Sequence, residues 1–206
     1  MRILVIGATG TIGRAVVSHL KVRHEVIQVS HSHGDYRVDL ESADSIRALY
    51  DRVGSVDAVV AAAGTASFKP LDQLSDEDFS VSLRNKLMGQ VNLVRLGQAA
   101  VRDGGSFTLT SGVLARHPMP GSAAVSIVNA GIEAFVRAAA LELPRGIRIN
   151  AVSPPWVRET LIALGMDPSG GMPADQVGRA YLESVEGRRH GEIIEPHSEV
   201  ATASCS

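Results

Sequence analysis

The sequence predicts an α/β fold built on a doubly wound parallel sheet, and three observations lead there. An apolar run, Ile3-Leu4-Val5-Ile6, leads straight into Gly7-Ala8-Thr9-Gly10-Thr11-Ile12-Gly13, and Arg14 to Leu20 then carries apolar side chains at helical spacing. Apolar stretches of strand length continue to alternate with helical periodicity along the chain. Hydrophobic residues make up 45% of the 206, which suits strands buried on both faces. That length allows one sizeable core and little room for a second, so a single domain over 1–206 is expected.

The opening strand, glycine turn and helix have a chemical reading. Gly7 permits a tight turn, Gly10 lets the backbone approach a pyrophosphate, and Gly13 lets the helix pack close to the strand. Free N–H groups at the helix start would then face the phosphates. Three glycines can also be a turn and nothing more. The strand before them and the helix after them favour a dinucleotide site.

The remaining elements follow in order. A second strand is expected at 25–29, a loop at 30–35, a short third strand at 36–40, and an amphipathic helix at 42–52 with Ile46, Leu49 and Tyr50 inward. A nearly all-apolar fourth strand at 56–62 ends at Ala63-Gly64. One long helix is expected from about 76 to 101, a fifth strand at 106–110, and a second long helix from about 122 to 143. A sixth strand at 147–152 is stopped by Pro154-Pro155. The stretch 161–173 is rich in Gly, Pro and Met and reads as mobile. A short helix at 174–184 and a last strand at 192–195 complete a sheet of about seven strands in an α/β/α sandwich, and the tail 196–206 reads as frayed.

Composition excludes several classes. A formal net charge of -2 without a basic block argues against nucleic acid and against an acidic membrane surface. No apolar stretch reaches membrane length, and the chain begins at once with a core strand, so no signal peptide is expected. The single cysteine, Cys205, rules out an internal disulfide framework and fits a reducing cytoplasm. No Cys/His cluster has metal-ligand spacing, so no metal is expected, and there is no Gly-x-Ser-x-Gly elbow.

Six signals in order resemble the short-chain dehydrogenase/reductase family over almost the whole chain. They are the glycine turn Gly7, Gly10 and Gly13; Val38-Asp39-Leu40; Ala61-Ala62-Ala63-Gly64; Thr110-Ser111; Gly146 to Pro154; and His190 to Ile194. The resemblance implies a Rossmann-type fold and hydride transfer between a nicotinamide and a carbonyl or alcohol. It implies cofactor contacts from Gly7, Thr9, Gly10, Thr11, Ile12, Gly13, Ser30, His31, Asp39, Leu40, Ala62, Ala63, Gly64, Pro154 and Val157. It also implies a homodimer or homotetramer pairing through the two long helices.

The departures from the family pattern fall where the chemistry should be. Aligned on Ala130-Gly131-Ile132-Glu133, the family's proton-donating Tyr becomes Val125 and its Lys becomes Asn129. The only tyrosines are Tyr36, Tyr50 and Tyr181, and no lysine follows Lys86. On the preceding helix the family's Asn-Leu-x-Gly reads Lys86-Leu87-Met88-Gly89, so amine and amide have changed places; an alternative register keeps Asn85 as that Asn. A lysine in a low-dielectric pocket can have its pKa lowered into a useful range, so Lys86, Ser111 and Asn129 are the candidate catalytic residues. The plain alternatives are a solvated or interface lysine and a satisfied helix amide.

His117, after the fifth strand, reads as a loop histidine that could titrate near the pocket mouth. From Gln28 to Gly34 no acid stands ready to repel the extra phosphate of NADP(H), and His31 or His33 could pair with it, so NADP(H) is favoured over NAD(H). The leading expectation is an atypical NADP(H)-dependent oxidoreductase acting on a small carbonyl-like or unsaturated substrate. A non-catalytic dinucleotide sensor or partner-binding protein, and a non-redox enzyme on the same fold, are the alternatives.

Overall fold

The computed structural model describes residues 1–197; Cys205 and most of the expected frayed tail lie outside them. One sheet of seven parallel strands runs through the molecule in the order β3-β2-β1-β4-β5-β6-β7. Its strands are β1 (Arg2–Ile6), β2 (Glu25–Ser30), β3 (Tyr36–Arg37), β4 (Val56–Ala61), β5 (Val101–Thr110), β6 (Arg148–Val152) and β7 (Ile193–Ile194). The order reverses between β1 and β4, which leaves a crevice beyond their C-terminal ends.

Strand alternation supplies both faces. Leu4 and Ile6 of β1 enter one core, while Ile3 and Val5 enter the other. Helices α1 (Thr11–Leu20) and α7 (Ala174–Glu186) cover the second face with Val16, Leu20, Val177 and the fully buried Tyr181. The first face is covered by α2 (Ala43–Val53), α4 (Gly89–Gly97) and α5 (Ala123–Ala139), through residues such as Ile46, Leu93, Ile132 and Val136.

Three boundaries differ from expectation for identifiable reasons. The long helix expected over 76–101 is α3 (Asp76–Ser82), a π-helical stretch (Leu83–Met88) and α4, ending at Gly97. Ser75 starts it with a capping box, in which its hydroxyl accepts from Asp78 N–H and Asp78 accepts from Ser75 N–H. Strand β5 starts five residues earlier than expected, at Val101, because Val56 and Val101 pair before the register shifts at Val56/Ala58. The third strand keeps only Tyr36-Arg37, since Val38 N–H is the last to reach β2, at Ser30 O.

The stretch 161–173 is tied at both ends. Arg158–Ala163 forms α6, and Val157 and Met172 pair as an isolated bridge, with Arg158 N–H on Met172 O and Met172 N–H on Trp156 O, both 2.8 Å. Sequence composition registered the flexible residues but not this bridge.

Candidate functional site

The glycine turn sits at the reversal point of the sheet. Gly7 has φ +82°, and a Cβ there would lie 2.5 Å from Ala62 O, so only glycine fits where the turn crosses β4. A Cβ on Gly13 would lie 1.9 Å from Gly7 O, which explains the contact between helix and turn. A Cβ on Gly10, by contrast, meets nothing nearer than 3.3 Å, and the turn is open on that side. No side chain caps the N-terminus of α1 at Gly10. Arg14 folds back on this turn and donates to Thr9 O at 2.5 Å.

Two cavities open on either side of Gly64. The first, about 240 Å³, is lined by Gly7, Ser30, His31, Asp39, Leu40, Ala63, Gly64, Thr65 and Asn85, together with Ile6 and Val38. Ser30 is buried and its hydroxyl accepts from His33 N–H at 2.8 Å, which curls the loop after β2, while His31 stays exposed at the rim. Asp39 accepts from Glu41 N–H at 2.9 Å, fixing the turn that carries Leu40. No Asp or Glu of the loop 31–35 lines this cavity, and among the described residues Asp39 is the only acid that does.

The second cavity, about 310 Å³, is mainly apolar. Ile12, Phe68, Val125, Pro154, Trp156 and Val157 form much of its wall, with Lys86, Ser111, Gly112 and Asn129 at its inner end. Phe68 and Trp156 meet edge to face, centroids 5.8 Å apart at 86°. No tyrosine lines it: Tyr36 lies under Arg52, Tyr50 donates to Leu93 O, and Tyr181 pairs with Thr110 behind the sheet. His117 is exposed and lies outside the lining.

The π-helical stretch decides what the long helix presents. Asn85 turns to the first cavity, accepting from Thr65 N–H at 2.8 Å and donating to Glu41 at 3.1 Å. Lys86 turns to the second, and its Nζ donates to the backbone oxygen of Ser111 at 3.5 Å. Both registers read from the sequence therefore put a polar group in the groove, one in each cavity. Gly64, with φ +134°, makes this approach possible, because a Cβ there would lie 2.8 Å from Lys86 Cγ. Burial without a counter-ion lowers the Lys86 pKa from 10.5 to about 8.

Ser111 and Asn129 are both buried at the same end. The Ser111 hydroxyl donates to Glu133 at 3.1 Å, so toward Lys86 the serine offers its carbonyl. Asn129 Nδ2 donates to Gly112 O at 3.5 Å, and its Oδ1 is buried with no partner among the described residues. A Cβ on Gly112 would lie 2.8 Å from that Nδ2, so the backbone here presses against the amide directly.

Two residues that hold this end were missed. Gln90 is fully buried and clamps the end of β5, donating to Thr110 O at 3.0 Å and accepting from Thr110 N–H at 2.8 Å. Glu133 is also buried, and Arg116 and Arg137 approach it at 3.7 and 3.4 Å. Spacing could have found both. Gln90 is four residues after Lys86, and Glu133 four after Asn129, each on the same helical face.

Residues 12–186 match the family model described as Enoyl-(Acyl carrier protein) reductase. The solved structure of protein lin1944 from Listeria innocua is 43% identical, with a TM-score of 0.92 over 96% of this chain and 100% of that one. A small-chain dehydrogenase solved in complex with NADPH is 25% identical, with a TM-score of 0.83 over 95% of each chain. Hydroxynaphthalene reductase arp2 of Aspergillus fumigatus is 29% identical over 150 residues, 68% of this chain. That match spans only 55% of the relative's own length.

Proposed function

Because the chain belongs to the short-chain dehydrogenase/reductase family, we propose that it is an NADP(H)-dependent oxidoreductase that reduces a small carbonyl-like or unsaturated compound. One observation carries this reading: two cavities, polar-rimmed and apolar, meet at Gly64 beside an open glycine turn. The residues present fit a dinucleotide laid across that junction. Gly7, Thr9, Gly10, Thr11, Ile12 and Gly13 would receive the pyrophosphate at the start of α1. Ser30, His31, Asp39, Leu40, Ala62, Ala63 and Gly64 would hold the adenosine half, with His31 and Arg14 on hand for the extra phosphate. Pro154 and Val157 would back the nicotinamide, and the unpartnered Oδ1 of Asn129 is an acceptor waiting for a ligand hydroxyl or amide.

The nicotinamide supplies the hydride when bound. The chain's own part is to hold a proton at the substrate oxygen. As the carbonyl carbon gains the hydride, the Lys86 ammonium gives its proton to the oxygen and becomes a neutral amine, which water then reprotonates. A group with a pKa of about 8 is mostly protonated at neutral pH and gives up its proton far more readily than an ordinary lysine. Glu133 and Gln90 act behind it, fixing the Ser111 peptide against which Lys86 rests.

Val125 favours a second reading, a nucleotide-binding protein without turnover, because it lines the cavity where the family places its proton donor. Nicotinamide fluorescence in the presence of aromatic ketones and enones separates the two. Consumption of NADPH is expected; tight NADPH binding with no consumption across the panel would favour the sensor. A homodimer or homotetramer through the long helices is part of the proposal, supported by Ile127 on α5, which is 51% exposed. A monomer by light scattering at micromolar concentration overturns that part.

A further inference from the structure

Among the described residues, one ionisable side chain lines the apolar cavity. Of the described residues that line it, Lys86 alone carries charge, and none is Asp or Glu. The acids on the surrounding elements are held elsewhere: Glu133 by Ser111, Arg116 and Arg137, Glu41 by Arg84 and Asn85, Asp78 by Lys69, Ser67 and Ser75. An ammonium has three donors, and among the described residues only one of those on Lys86 finds an acceptor, the Ser111 carbonyl at 3.5 Å. Burying a charge with so few partners is unfavourable unless something else meets it. Phe68 and Trp156, their rings at 86° to one another, form an aromatic part of the same cavity wall.

We propose that this cavity takes a planar apolar compound carrying an anionic oxygen, whose charge the Lys86 ammonium neutralises while the rings of Phe68 and Trp156 flank its body. The proposal rests on the oxidoreductase reading and names its substrate class. An anion conjugated with the reacting carbonyl would let one ammonium meet both oxygens. The apolar lining excludes strongly hydrated compounds such as sugars, and the lone cation selects acids over their neutral counterparts.

Calorimetry on the NADP⁺-loaded protein tests this with matched probes: benzoate against benzamide, and naphthoate against naphthamide. At neutral pH at least one acid is expected to bind about tenfold or more tightly than its amide, the worth of about 1.4 kcal/mol. The preference should fade as the pH is raised through about 8, where Lys86 loses its charge. It should disappear in Lys86→Met and survive in Lys86→Arg. Acids that bind no better than their amides, or a preference unchanged in Lys86→Met, overturn the proposal. Should that variant fail to fold, a wild-type preference that ignores pH across the same interval overturns it equally. NADP⁺ binding is titrated first, so a protein that takes no nucleotide sinks the oxidoreductase reading separately, and the probes are then run on the nucleotide-free protein.

Discussion

At one end of the groove the walls are backbone and small side chains, Gly7, Ala63, Gly64 and the curled loop at Ser30; at the other they are Phe68, Trp156, Val125 and a lysine. The first end is built mostly from backbone and small side chains, the second from large side chains and one lysine. Binding a pyrophosphate needs only N–H groups and the absence of Cβ atoms, so few alternatives exist. Proton delivery needs one donor within reach of the substrate oxygen, and several side chains on several elements can supply it. The first kind of wall therefore leaves few choices of residue, and the second leaves many.

The largest expected effect breaks the first end. Gly13→Ala forces a methyl to within 1.9 Å of Gly7 O, a backbone atom that cannot yield. Overpacking of that kind costs about 3 kcal/mol, and NADPH affinity should fall by roughly 10²-fold with it. Gly10→Ala sharpens the point, since its methyl meets nothing nearer than 3.3 Å. That variant should unfold at nearly the wild-type temperature yet bind NADPH more weakly. Calorimetry and thermal unfolding on both proteins separate the fold requirement from the ligand requirement.

Next comes the other end. Lys86→Met should lower turnover by about 10²-fold or more, the usual worth of a positioned proton donor, with NADPH affinity changed only a few fold. The same change should raise stability by about 1–2 kcal/mol, because an ammonium with few partners leaves the interior. The folded-state pKa of about 8 lies below the unfolded 10.5, so between those values the unfolded chain binds more protons. Wild-type stability should therefore rise with pH across that window, and the advantage of Lys86→Met should shrink over it. Denaturation curves at several pH values check this directly.

A smaller effect is expected behind the site. Glu133→Ala leaves the Ser111 hydroxyl without its acceptor and releases Arg116 and Arg137. Both arginines are partly solvated, so the loss should be about 2 kcal/mol rather than that of a fully buried pair. A melting-temperature drop of roughly 4–8 °C is expected. Smallest is Ser30→Asp, which places a carboxylate in the wall of the first cavity and should move the NADPH-to-NADH affinity ratio about tenfold toward NADH. An unchanged ratio would show that this loop does not read the extra phosphate.

Most of the architecture was legible because it is written in short-range signals. Ile3 to Gly13 displays strand, turn and helix within a dozen residues, and Pro154-Pro155 marks the end of β6 without ambiguity. The candidate site was legible only as far as residue identity reaches. Lys86 and Asn129 stand out by type, but the orientation of Ser111, with its hydroxyl toward Glu133 and its carbonyl toward Lys86, depends on contacts across 22 and 25 positions. The pairing of Val157 with Met172 is equally non-local, and composition between them signalled only freedom. The widened turn in the long helix carries no residue that announces it.

That turn, Leu83–Met88, amounts to a helix carrying one extra letter. The reading frame of its faces before the turn differs from the frame after it. Upstream, Asp78 and Ser82 face the Ser67 segment; downstream, Gln90 locks onto Thr110 and Gly89 packs on Leu40. Both frames are anchored, so the surplus residue is accommodated between them. There Asn85 and Lys86, which an ordinary helix would splay by about 100°, are delivered to opposite sides of Gly64. Excising one residue from this stretch would bring the frames into step, and one of the two cavities would then lose its polar group. The extra letter thus falls where the helix hands one polar side chain to each cavity.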